Sequence, residues 1–206
     1  MPLKDNREYR IMSMPLTIID ASGTKRFETD HYVEGYATTF DDPYVIYEYD
    51  GNKYYEVIDR NAFNEADLSD VIMQYDHSGM VYARNKMAKG KQPTLIIEPQ
   101  ETGLFIAADL GLTDEARKLY DTIDKGLIHK MSYAFRVTED SYNEETRTRT
   151  ILKIKKVYDV SAVSYPANNG TDISVRSYFD GVIEGEKREA LEREKQLLLL
   201  KIKLEV

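Results

Sequence analysis

Apolar positions along the chain recur at two spacings, and the change between them marks out the elements. Residues 31–40, HYVEGYATTF, alternate apolar and polar side chains with the period of a half-buried strand. Gly35 inside that run predicts a bulge or a close backbone approach. Residues 9–19 alternate in part and predict an earlier strand, closed by a turn at Ser22-Gly23. Residues 44–49 and 54–58 flank Asp50-Gly51-Asn52, a hairpin turn by composition. Residues 71–75, VIMQY, form a short buried strand that delivers Asp76-His77-Ser78-Gly79, with residues 81–87 as its partner. Residues 94–98 and 104–109 pair around 99–103, and residues 150–164 make a long strand ended by Pro166. Residues 173–178 read as a last short strand.

The helical spacing occurs in few places. Residues 61–68 form a short helix or turn around Ala62 and Phe63. At Thr113 the period changes clearly: Ala116, Leu119, Tyr120 and Ile123 share one helical face. Thr113 supplies the N-cap, and Asp114 and Glu115 sit in the first turn, where the helix dipole favours negative charge. Gly126 ends the helix, and residues 127–137 alternate again as a strand with Ser132 at its middle. From Gly181 the composition shifts to Glu, Lys, Arg and Leu, all helix formers, with a charged first half and an apolar end at Leu197, Leu198, Leu199, Leu200, Ile202 and Leu204. Such a tail either packs on its own domain or docks on a partner.

About ten short strands, one good helix and a terminal helix predict a mainly β (α+β) fold. The expectation is a small β-barrel or folded sheet flanked by a few helices, with a C-terminal helical tail. Residues 1–180 form the main domain and residues 181–206 the tail. At 206 residues the chain is long enough for one domain with a real core.

Composition removes several functional classes. With 28 basic and 36 acidic residues the net charge is −8, which argues against nucleic-acid binding. The absence of cysteine excludes disulfides, thiolate zinc sites and a cysteine nucleophile. No apolar leader and no apolar run of about 18 residues is present, so neither a signal peptide nor a membrane span is expected. No P-loop, GxGxxG, HExxH, EF-hand or GxSxG pattern occurs, so no cofactor and no metal is expected.

Three histidines remain. His31 opens a strand and is expected at the surface. His129 lies an odd number of residues before Ser132 and so faces the other side of the strand, which makes it a poor base for that serine. His77 stands at a strand end, where its ring can face a groove. Ser132 is either a satisfied structural serine or a nucleophile, and a nucleophile needs a base with an orienting group behind it. Asp159, an acid in the apolar run VYDVSAV, needs a partner because an unpaired buried carboxylate is expensive. Its partner is an imidazole, or Lys155 or Lys156 if the strand lies at an edge.

At these residues the chain resembles the tailed-phage prohead (procapsid) maturation serine proteases, a family similar in fold to the herpesvirus assemblin proteases. The resemblance is carried by VEGYATTF with the later NAF, by VIMQYDHS around His77, by GLFIAADL through DTIDKGLIHKMSYAFRV around Ser132, and by VYDVSAVSYPANN around Asp159. It implies His77 as general base, Ser132 as nucleophile and Asp159 as the third member, where the family often has Glu. It also implies an oxyanion loop at Tyr165, Pro166, Ala167 and Asn168. By the same resemblance the chain is an endopeptidase that cuts the scaffold or major capsid protein, and itself, inside the immature capsid in the host cytoplasm. A homodimer or higher homo-oligomer is implied, and the tail becomes an assembly or self-cleaved segment. The alternative is a non-catalytic scaffold or assembly protein that retains the protease fold.

Overall fold

A computed structural model describes residues 7–11, 25–164 and 173–204. Ten strands and two helices follow in the order β1 (Glu8–Ile11), β2 (Tyr32–Thr39), β3 (Tyr44–Tyr49), β4 (Asn52–Ile58), β5 (Ile72–Tyr75), β6 (Ser78–Arg84), β7 (Leu95–Pro99), β8 (Gly103–Asp109), α1 (Asp114–Asp124), β9 (Lys130–Asn143), β10 (Thr148–Val163) and α2 (Ile173–Leu204). The strands make two sheets rather than a closed barrel.

β10 is the spine of the larger, seven-stranded sheet, whose main path runs β1-β9-β10-β4-β3. Antiparallel β9 lies along one edge of β10 for its whole length. The other edge is shared by two parallel neighbours: β4 pairs with its first residues, Thr148 to Ile151, and β5 with Asp159 to Ala162. The β5–β6 hairpin is thereby held against the far end of β10. The smaller sheet is antiparallel, in the order β2-β8-β7. Val33, Leu104, Ile106, Met131, Tyr133, Phe135, Ile154 and Val160 pack in one core between the sheets, which α1 closes with Ala116, Leu119 and Ile123.

The local chemistry of these elements is that of the sequence. The Thr113 hydroxyl accepts the Ala116 amide N–H at 3.2 Å, and Gly126 leaves the helix with φ +71°. Asp50 and Gly51 both have positive φ, the two-residue turn that suits the twist of the β3–β4 hairpin. The register shift in β2 falls between Tyr36 and Thr38, just beyond Gly35, which itself stays in register opposite Ile106.

One expectation needs correction. Residues 173–178 are helix, the first turns of α2 and not a last strand. Val175, Phe179 and Ile183 are spaced by four, so a helix puts all three on one face, and there they bury against Ile46 and Tyr54. Of the helix or turn expected over residues 61–68, the structure has turns over residues 61–65, closed by the Ala62 N–H to Asp59 O and Asn64 N–H to Asn61 O bonds, followed by a bridge from Asp67 to Lys156. The strand expected over residues 9–19 is present as β1, and its remainder lies outside the described residues. Among the described residues no helix is long and apolar enough to cross a membrane.

A buried ion network fixes β1 in place. The Arg10 guanidinium donates from Nε to Glu56 Oε1 at 2.5 Å and from Nη2 to Glu56 Oε2 at 2.8 Å. Arg149 donates to Glu56 Oε2 at 3.1 Å, to Glu8 Oε2 at 2.8 Å and to Asp140 Oδ2 at 2.5 Å. The Tyr44 hydroxyl completes it on Glu56 at 2.5 Å. Glu56 is wholly buried, so these donors are what make its charge tolerable there.

Candidate active site

Three strands meet at the site with their side chains in phase. Ser132 on β9 stands directly opposite Ser161 on β10, and Ala134 opposite Asp159. Cross-strand partners share a face, and so do residues two apart, which puts Ser132, Asp159 and Ser161 on one side of the sheet. On the other side of β10, β5 ends at Tyr75, in register with Ala162.

The chain then turns on two residues, Asp76 at φ 48° and His77 at φ 53°, between the paired Tyr75 and Ser78. A left-handed conformation at two consecutive non-glycine residues costs about 1 kcal/mol or more each, least for Asp, Asn and His. Bonds to the end of β10 offset that cost. The Asp76 N–H donates to Ala162 O at 3.0 Å, and the Asp76 carboxylate accepts the Ser164 N–H at 3.0 Å and the Ser164 hydroxyl at 2.9 Å. The turn is therefore tethered to the strand that carries Asp159, with His77 at its tip.

From that tip the imidazole reaches both partners. Its Nδ1 lies 2.5 Å from Asp159 Oδ1, and its Nε2 lies 2.7 Å from Ser132 Oγ. Asp159 and Ser132 are buried, whereas the His77 side chain remains 18% exposed and gives the site its opening. With Asp159 accepting at Nδ1–H, the neutral ring presents a lone pair at Nε2 toward the serine hydroxyl. A buried hydroxyl, a base and a carboxylate in this order can support nucleophilic attack on a carbonyl.

All three expected side chains are thus brought together from distant parts of the sequence: 82 residues separate His77 from Asp159 and 55 separate it from Ser132. The lysine alternative for Asp159 is not taken, since Lys156 pairs with Asp67 at 2.6 Å. His129 precedes β9, is exposed and takes no part. His31 is half-buried rather than at the surface, its ring edge-on to Tyr120 at 5.1 Å. The expected oxyanion loop, Tyr165, Pro166, Ala167 and Asn168, lies outside the described residues.

Two contacts were not anticipated. The Tyr9 ring from β1 meets the His77 ring in a T-shaped arrangement, centroids 4.7 Å apart. β1 alternates, so the ion network holds Glu8 and Arg10 on one face while Tyr9 stands on the other, and nothing in its short sequence signals that placement. Ser161 Oγ lies 2.7 Å from Asp159 Oδ1. Its spacing of two from the acid was the available signal.

A β-rich fold in which one histidine joins a serine to a carboxylate is the arrangement of a serine hydrolase. The chain belongs to the family described as caudovirus prohead serine protease, which it matches over residues 20–182. It is therefore a serine protease of the prohead family, and its class of reaction is peptide-bond hydrolysis. Among solved structures it is similar to the capsid assembly protease gp21 of bacteriophage T4, with 13% identity and a TM-score of 0.42 over 79% of this chain and 100% of that one. No curated protein matches.

Proposed function

We propose that His77, Ser132 and Asp159 are the catalytic triad of an endopeptidase that cleaves the scaffold or major capsid protein within the immature capsid, and that it also cleaves itself. The observation that carries this reading is the single imidazole contacting Ser132 Oγ through one nitrogen and Asp159 Oδ1 through the other.

In the first half-reaction the Ser132 oxygen attacks the scissile carbonyl while its proton passes to His77 Nε2. The imidazolium that forms is stabilised by the Asp159 carboxylate at Nδ1–H. His77 then hands the proton to the departing amine, leaving an acyl ester on Ser132. Water, deprotonated by the same nitrogen, releases the acyl group and restores the hydroxyl. The tetrahedral oxyanion needs backbone donors, and by the family resemblance these come from the loop at Tyr165, Ala167 and Asn168. Pro166, within that loop, has no N–H to give.

The assembly role falls to the end of α2. Its side chains are exposed from Lys187 through Ile202, including Leu191, Leu197, Leu198, Leu199, Leu200 and Ile202. An apolar surface of that kind is a docking segment for capsid or scaffold, or one removed by self-cleavage. The protease works in the host cytoplasm as a homodimer or larger homo-oligomer.

Co-expression of the full chain with its capsid and scaffold proteins tests the reading. Truncated partner should accumulate with the parent and fall by at least about 10⁴-fold with Ser132→Ala. Equal processing by both would remove Ser132 from the reaction.

A further inference from the structure

Ser161 is fully buried in the run Val160, Ala162, Val163, where an alanine would pack without desolvating a hydroxyl. Its oxygen lies 2.7 Å from Asp159 Oδ1, the same oxygen that faces His77 Nδ1 at 2.5 Å. An ionised carboxylate only accepts, so Ser161 Oγ–H donates. The two residues are spaced by two on β10, and Ser161 stands opposite Ser132 in the ladder. The hydroxyl is therefore anchored by the same pair of strands that carries the acid and the nucleophile.

We propose that Ser161 is a positioning residue for the proteolytic reaction: its hydroxyl fixes the Asp159 carboxylate so that His77 keeps Nδ1 on the acid and Nε2 on Ser132. The inference rests on the triad reading above. The physical reason is the freedom of a carboxylate. The terminal torsion of an aspartate is broad and roughly two-fold, so a single bond to a ring on a hairpin tip leaves the acid and the imidazole free to turn together. A second donor on the same oxygen, fixed to the sheet itself, removes that freedom. It also keeps Asp159 Oδ1 aimed at the imidazolium that forms in the transition state. Groups that orient a reactive ring from behind are worth about 10- to 100-fold in comparable settings.

The test uses the full chain and a fluorophosphonate probe, which labels an activated serine oxygen with loss of fluoride and needs no knowledge of the cleavage site. For Ser161→Ala the saturating labelling rate should fall by about tenfold or more, with half-saturation moving less than about twofold and the melting temperature unchanged. Ser161→Thr, which returns a hydroxyl at the same atom, should recover most of the rate. The downfield proton resonance of His77 Nδ1–H should be present in the parent and move upfield in Ser161→Ala. Labelling of Ser161→Ala at the parental rate with that resonance in place overturns the inference. So does a folded Ser161→Thr protein that recovers nothing. Ser132→Ala runs alongside: undiminished labelling there defeats the triad reading itself, whereas its loss beside an unaffected Ser161→Ala defeats this inference alone.

Discussion

A single residue, Glu56, shows how closely charge placement constrains this protein. It is wholly buried, on the strand beside the spine of the sheet, and takes bonds from Arg10, Arg149 and Tyr44. Removing one partner from such a group leaves a buried charge undercompensated, at a cost of about 3–5 kcal/mol. Arg10→Ala should therefore lower the urea midpoint by that equivalent. Because Arg10 anchors the strand that places Tyr9 against His77, proteolysis should weaken with it. Glu8, in the same network, gives the pH dependence a sign. Burial pushes its carboxyl up, but the Arg10 and Arg149 guanidiniums outweigh burial and hold it at about 2, below its ordinary 4.5. A carboxyl depressed in the folded state adds stability that is complete above its ordinary value and is lost as pH falls toward its folded one. Chemical denaturation from pH 4.5 down to about 2 should thus show a steeper loss of stability in the parent than in Glu8→Gln; parallel curves would detach Glu8 from the acid response.

At the scale of elements, the decisive pieces are a turn and a helix. The β5–β6 turn holds two residues in left-handed backbone and is tied to Ser164 through Asp76, which is how a short hairpin can carry a base accurately. The first turns of α2 fit a strand pattern as well as a helical one, because Ile173, Val175 and Tyr178 admit either period over so short a run. What selected the helix is the pocket formed by Ile46, Tyr54, Tyr47 and Tyr142, into which Phe179 fits, stacked on Tyr47 at 5.8 Å. Truncating a fully buried aromatic of this kind costs about 3–5 kcal/mol. Phe179→Ala should lower thermal stability accordingly and release α2 from the sheet, seen as faster amide exchange over residues 175–187. Unchanged exchange there would mean that α2 is held by something other than this pocket.

For the whole molecule, the helix divides in two. Contacts from Tyr47 to Asp180, Tyr142 to Glu186 and Tyr49 to Lys187 reach its middle, and beyond Lys187 the described side chains are exposed. The packed part of α2 reaches past residue 181, since Ile183 is buried. A truncation after Arg188 spares that packing and removes the proposed docking segment. The shortened protein should label with fluorophosphonate as the parent does, yet be absent from purified proheads. Its incorporation at the parental level would end the docking role of the segment.

Alternation, turn residues and capping fixed most of the elements from the chain alone, because these depend on neighbours within a few residues. The same holds for three of the site's side chains. A lone histidine at a strand end, a serine inside an apolar strand and an acid in a buried run each break a local pattern, and each break is legible. The resemblance implied that one imidazole serves the other two; tertiary structure supplied the contacts that join them, and it alone decided that Tyr9 stands against the ring and that Ser161 backs the acid. Those contacts depend on register across β1, β9, β10 and β5, and a shift of one residue in any of these ladders turns its side chain to the opposite face. Register is set by how the two sheets, α1 and the buried ion network pack together, and no short stretch of this sequence contains that information.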